Sequence, residues 1–153
     1  MGFRVLGTNH TSFTVSSLDR TIAFFRDCLG FEVTSKAPRE AELTERVTGI
    51  PGAAITVAYV RGPGHSLELI EFHGPASKGK VESRACDTGA FHVAYDVDDL
   101  DGALLAFKTY DVLPVAAPIT VDAGPNKGAR IAFVRDPDGI MLELIQAAAA
   151  AIH

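Results

Sequence analysis

Two histidines and two glutamates, His10, His92, Glu68 and Glu143, are the residues whose types and spacing carry chemistry. They occur as two copies of one pattern. The run from His10 to Asp19 is matched by the run from His92 to Asp101: the His, a Val, a Leu and an Asp coincide, and Phe13 stands where Tyr95 does. Later in each copy Ala58-Tyr59-Val60-Arg61 recurs as Ala132-Phe133-Val134-Arg135. A Pro/Gly turn follows, and then an identical tetrapeptide, Leu67-Glu68-Leu69-Ile70 and Leu142-Glu143-Leu144-Ile145. Several blocks repeated in the same order mark a tandem duplication.

Side chains alternate across a strand. His10, Ser12 and Thr14 therefore share one face, as do His92, Ala94 and Asp96, and each Glu points away from its flanking leucines. Each copy sets one His and one Glu on the face away from its own helix. If the copies pair about a pseudo-twofold axis, the four converge. Two imidazoles and two carboxylates make a mixed nitrogen and oxygen set, near neutral around a divalent cation. The set suits Ni, Zn, Co, Mn or Fe at about 2.0–2.2 Å. One or two open positions would take water or a bidentate oxygen substrate. The metal would act as a Lewis acid on an enediolate or enolate, with a ligand carboxylate as the base. Taken singly, a strand His or Glu is more often structural or solvated. It is the recurrence of both types at equivalent places that favours a metal.

The remaining candidates have plainer readings. His65 beside a turn and His73 after a strand read as exposed, with His73 able to reach the mouth of a groove, and His153 is terminal. Arg61 and Arg135 read as solvated strand ends. Asp136 to Gly139 reads as a turn, and Gly124 to Gly128 as a glycine-bounded turn or lid that lacks a phosphate-binding pattern.

These residues need elements to position them. Thr11–Val15 alternates and reads as a strand. Ser16 or Ser17 caps a helix in which Leu18, Ile22, Phe25 and Leu29 recur at helical spacing, and Gly30 ends it. Phe31–Thr34, Ala53–Val60 and Ser66–Phe72 complete a β-α-β-β-β unit whose last two strands form a hairpin. Strands at 91–97 and 112–115, a helix over 99–110 and a hairpin across 136–139 repeat it. The expected fold is α+β: two tandem βαβββ modules, residues 1–75 and 90–146, with a linker at 76–89 and an alanine-rich tail at 147–153.

Composition bounds the partners. The chain has 153 residues, 47% hydrophobic and 22% charged, which excludes wholesale disorder. Fourteen Lys and Arg against 19 Asp and Glu, with no basic cluster, disfavour nucleic acid. No apolar run approaches the roughly 18 residues of a membrane span, and the first residues do not read as a secretory signal. Cys28 and Cys86 stand apart without a CxxC pattern, which points to a reducing, cytoplasmic setting.

Together the run from His10 through Gly30-Phe31, Leu67-Glu68-Leu69, His92 through Leu100, and Asp136-Pro137-Asp138-Gly139 with Leu142-Glu143-Leu144 resembles the vicinal oxygen chelate superfamily. That superfamily groups glyoxalase I, methylmalonyl-CoA epimerase, extradiol dioxygenases, and the fosfomycin- and bleomycin-resistance proteins. The resemblance covers nearly the whole chain. It implies paired modules whose sheets curl into a cup around one divalent metal, with His10, Glu68, His92 and Glu143 as ligands, and a homodimer. It implies glyoxalase I-like lyase or isomerase chemistry on a small oxygen-chelating substrate, with Glu143 or Glu68 moving the proton. Ring-cleaving extradiol dioxygenation and metal-free ligand binding are the alternatives. Thr14 replaces the arginine that helps glyoxalase I hold glutathione, and Phe72-His73-Gly74 replaces its Asn-Trp-Gly. Ile55 stands near the place of the extra glutamate in methylmalonyl-CoA epimerase. A cup lined by Ile55, Tyr59, Phe72, Phe133 and Met141 would suit a small organic or aromatic substrate.

Overall fold

The computed structural model describes residues 2–148; His153 and the end of the alanine-rich tail lie outside them. The chain divides into two compact units, Met1–Gly79 and Lys80–His153. The expected α+β fold of repeated β-strand units is present in both.

The first unit runs β1 (Thr11–Val15), α1 (Leu18–Ala23), β2 (Glu32–Pro38), α2 (Ala41–Thr48), β3 (Ala54–Gly62) and β4 (His65–Gly74). Its sheet has the order β1-β4-β3-β2, with β1 parallel to β4 and the other pairs antiparallel. Ser17 caps α1 by accepting from the Arg20 N–H. Beyond Ala23 the helix widens into one π-turn, Phe24–Cys28, where the Leu29 N–H reaches the Phe24 carbonyl. The 3.6-residue periodicity does not foretell that widening. It turns Phe24 and Phe25 both inward, and Phe25 packs with Phe13 and Phe31 at ring separations of 6.5 and 5.4 Å. Gly30 closes the segment at φ 70°, the left-handed conformation its place predicts.

The second unit runs β5 (Val93–Asp96), α3 (Leu100–Lys108), β6 (Leu113–Pro114), β7 (Ile119–Thr120), β8 (Arg130–Arg135) and β9 (Met141–Gln146). Its order is β5-β9-β8-β6, with β7 also on β8 and β5 parallel to β9. Asp99 caps α3 through the Gly102 N–H.

The helix-facing side of each sheet forms its core. Leu67, Leu69 and Val60 in one unit, and Leu144, Val134 and Leu100 in the other, have no exposed surface. Burying each such side chain contributes about 1.5–3 kcal/mol. Two elements lie outside the β-α-β-β-β reading. The helix α2 occupies the stretch between β2 and β3, to which the repeat assigns no element, and β7 is an added two-residue strand. The strands β5 and β6 are also shorter than the sequence suggests.

Candidate functional site

The predicted alternation holds on both glutamate-bearing strands. Leu67 and Leu69 are buried on one side of β4, and Leu142 and Leu144 on one side of β9; Glu68 and Glu143 therefore face the other way. Because β1 runs parallel to β4 with Ser12 opposite Glu68, His10, two residues upstream of Ser12, sits diagonally across from Glu68. Its Nε2 lies 3.3 Å from Glu68 Oε2, with the side chains 29% and 16% exposed. The other ring nitrogen, Nδ1, meets Asn9 Oδ1 at 2.6 Å, so a second group orients the imidazole. Glu68 Oε1 accepts from the Tyr59 hydroxyl at 2.5 Å. That bond, and then burial, push the phenol above its ordinary range, while Arg39 pulls it down.

The second unit repeats the arrangement. Ala94 stands opposite Glu143, and His92 Nε2 lies 3.1 Å from Glu143 Oε2. An aromatic ring meets each imidazole edge-on: Tyr59 at His10 (5.7 Å) and Phe133 at His92 (5.0 Å). In register, Tyr59 is opposite Glu68 and Phe133 opposite Glu143.

Each unit thus brings two of the four predicted donors together. Among the described residues no group of three or more His, Cys, Asp or Glu side chains stands ready to hold a metal ion. Each pair is nevertheless chemically suited to ligate a metal. Neutral imidazole nitrogen and carboxylate oxygen bind first-row divalent cations, and both pairs are partly open to solvent.

The alternation expected of the other candidate residues is also present. Ile55 pairs with Phe72 and Val57 with Ile70, on the same side of the first sheet as Tyr59 and Glu68. In the second sheet Ile131, Phe133 and Arg135 share a side with Ile145, Glu143 and Met141. Within the second unit a cavity of about 930 Å³ opens on that side. Phe133, Met141, Ile131, Val115 and Ile119 line it, and the segment 80–87 lies along it. Phe133 links this cavity to His92.

Three readings of the sequence are corrected here. Arg135 is not a solvated strand end. Its guanidinium donates to the Ser83 and Gly139 carbonyls, while Lys80 donates to the Pro137 carbonyl; these bonds hold the segment 80–87 over the β8–β9 turn. That segment reads as linker, and no local pattern announces it as a cavity wall. His65 is not exposed: its Nε2 is out of water and has no hydrogen-bond partner. His73 shares the helix-facing side of β4 with Glu71, where it meets the Thr56 hydroxyl at 2.8 Å, so it is not on the Glu68 side. The Gly124–Gly128 stretch is a hydrogen-bonded turn, with the Lys127 N–H on the Gly124 carbonyl.

Comparison with known proteins bears on this geometry. A family model described as Glyoxalase/Bleomycin resistance protein/Dioxygenase superfamily matches residues 7–144. The chain is 30% identical over 151 residues to a 2-epi-5-epi-valiolone epimerase of an Actinomyces species, covering 95% of this chain and 82% of that one. It is 32% identical over 145 residues to a probable lactoylglutathione lyase of Vibrio parahaemolyticus, covering 90% and 88%. Its structure is similar to that of a glyoxalase family protein from Bacillus cereus, with a TM-score of 0.77 and 25% identity over 97% of this chain and 98% of that one.

Proposed function

The chain belongs to the Glyoxalase/Bleomycin resistance protein/Dioxygenase superfamily, and from that premise we propose that it is a divalent-metal-dependent enzyme that moves a proton at a carbon beside a carbonyl, in the manner of a glyoxalase-type lyase or isomerase. One observation carries the reading: the same His–Glu pair, at 3.3 and 3.1 Å, is built twice on equivalent strands. Both pairs lie on the side of the sheet away from the helix, with the glutamate side chains only 16% and 17% exposed, among apolar neighbours that suit a small organic ligand.

In this reading His10, Glu68, His92 and Glu143 are metal ligands. When bound, the metal supplies Lewis acidity to a pair of substrate oxygens. The chain does the rest. Asn9 and the edge-on aromatic rings orient the imidazoles. Tyr59 holds Glu68. Glu143 takes the proton from carbon and returns it. Ile55, Phe72, Phe133 and Met141 exclude water around a small organic substrate. Removal of the proton beside the carbonyl is the step that an epimerase and a lyase of the named kind share; inversion further requires that the proton come back on the opposite face of the carbon. As further parts of the proposal, the protein works as a homodimer in a reducing, cytoplasmic setting.

The test is metal analysis of the purified protein followed by proton exchange in deuterated water. The substrates are S-lactoylglutathione, 2-epi-5-epi-valiolone and, with Fe(II) and oxygen, catechol. Metal-dependent deuterium uptake beside the carbonyl of either of the first two supports the proposal. Oxygen consumption with catechol replaces it by ring cleavage. Ligand binding with no retained metal replaces it by sequestration.

A further inference from the structure

The residues opposite the two glutamates differ by one atom. At the position opposite the carboxylate the first unit has Tyr59 and the second Phe133. Both rings meet their histidine edge-on, at 79° and 87°, so the rings do the same packing. Only the hydroxyl is new, and it donates to Glu68 Oε1. Both Glu68 oxygens are therefore engaged, Oε1 by Tyr59 and Oε2 by His10. Glu143 has His92 on Oε2 and, among the described residues, no hydrogen-bond donor on Oε1.

We propose that Tyr59 is a positioning residue that fixes Glu68 in one orientation, and that its replacement by Phe133 in the duplicate leaves Glu143 as the carboxylate free to turn. The duplication built two equal carboxylates, and this hydroxyl makes them unequal. Rotating Glu68 means breaking the Tyr59 bond; rotating Glu143 breaks no bond on its second oxygen. A tethered carboxylate keeps a ligand in place, and an untethered one can leave a metal and approach a substrate carbon. The inference rests on the reading of these residues as metal ligands and assigns the two glutamates different parts within it.

The test compares wild-type protein with Tyr59→Phe and Phe133→Tyr, using Co(II) as the probe in the full chain. Co(II) affinity and visible absorption report ligand geometry without any turnover. Phenylalanine already occupies the equivalent site in the second unit, so Tyr59→Phe keeps the packing, and its unfolding temperature is measured as a control. Tyr59→Phe is expected to weaken Co(II) binding by roughly tenfold and to shift its absorption bands, as loss of a hydrogen bond to a ligand does. Phe133→Tyr is expected to bind Co(II) at least as tightly while slowing deuterium exchange through kcat with KM unchanged. If wild-type protein binds Co(II) and Tyr59→Phe matches it in affinity and spectrum, the tether is overturned and the metal reading stands. If wild-type protein binds no Co(II), the metal reading falls and takes the tether with it.

Discussion

The two units solve the same local problems with different side chains. At each helix N-terminus a residue from the glutamate-bearing strand reaches back to an otherwise unpaired N–H: Glu71 Oε2 accepts from the Leu18 N–H at 2.7 Å, and Gln146 Oε1 accepts from the Leu100 N–H at 3.1 Å. The geometry is conserved between the copies, but the charge is not. A carboxylate there also meets the positive end of the helix dipole, whereas an amide supplies only the hydrogen bond. On the first strand of each unit, Phe13 in one corresponds to Tyr95 in the other. Burial pushes the Tyr95 phenol up to about 12, a titration the first unit cannot have at that place. Between the second and third strands of the module, the first unit inserts α2, while the second makes β7 and a tight glycine turn. What the copies share is what places the His–Glu pair. What differs is the side chain opposite each Glu and how its surroundings are closed.

The largest expected effect separates the two glutamates. Glu143→Gln should lower turnover by at least a hundredfold, as loss of a general base does, while Co(II) binding weakens. Full exchange activity and full metal content in that variant would sink Glu143 as the base. The histidines should behave alike: His10→Ala and His92→Ala should lose metal to similar degrees by equilibrium dialysis, and loss in only one of them breaks the equivalence of the pairs.

Next in size are the cores. Leu69→Ala and Leu144→Ala remove equivalent, fully buried side chains and should each cost about 2–5 kcal/mol in denaturant unfolding. A large loss in one and a small loss in the other would show that the copies do not share their cores equally.

The alkaline response is smaller. Tyr95 is raised from 10 to about 12 in the folded protein, so its contribution is complete below pH 10 and is lost as pH rises toward 12. Stability measured across that window should fall by about 2 kcal/mol, and Tyr95→Phe, which copies Phe13, should flatten this part of the fall.

The smallest effect concerns the helix ends. Glu71→Gln should cost about 0.3–1 kcal/mol and Gln146→Glu should gain a similar amount, because the swap exchanges the charge facing the two helix dipoles. Equal and negligible shifts in both would mean that only the hydrogen bond matters there.

Much of this was readable in the chain. Period-two alternation around Leu67, Leu69, Leu142 and Leu144 gives the facing of both glutamates, because pleated backbone leaves a side chain only two directions. Gly30, Ser17 and Asp99 mark helix ends through chemistry that acts over a few residues. Arg135 and the segment 80–87 were not readable, because what joins them is a hydrogen bond to a backbone carbonyl distant in sequence. The stretch that folds as α2, which the repeat leaves unassigned, shows how capping, with Glu40 accepting from the Glu42 and Leu43 N–H groups, can start a helix. His65 went unrecognised for a related reason: exposure beside a turn is set by what packs over it.

The sequence by itself determined the duplication, the family, the alternation of the strands and the identities of the two His–Glu pairs, since all of these follow from local periodicity and repetition. Tertiary structure alone decided that β1 lies parallel to β4 and β5 to β9, bringing each His within 3.1–3.3 Å of its Glu. It also decided that the Tyr59 hydroxyl lands on Glu68 while Phe133 offers nothing to Glu143. Strand register is a property of pairing between distant segments, and no residue carries it alone.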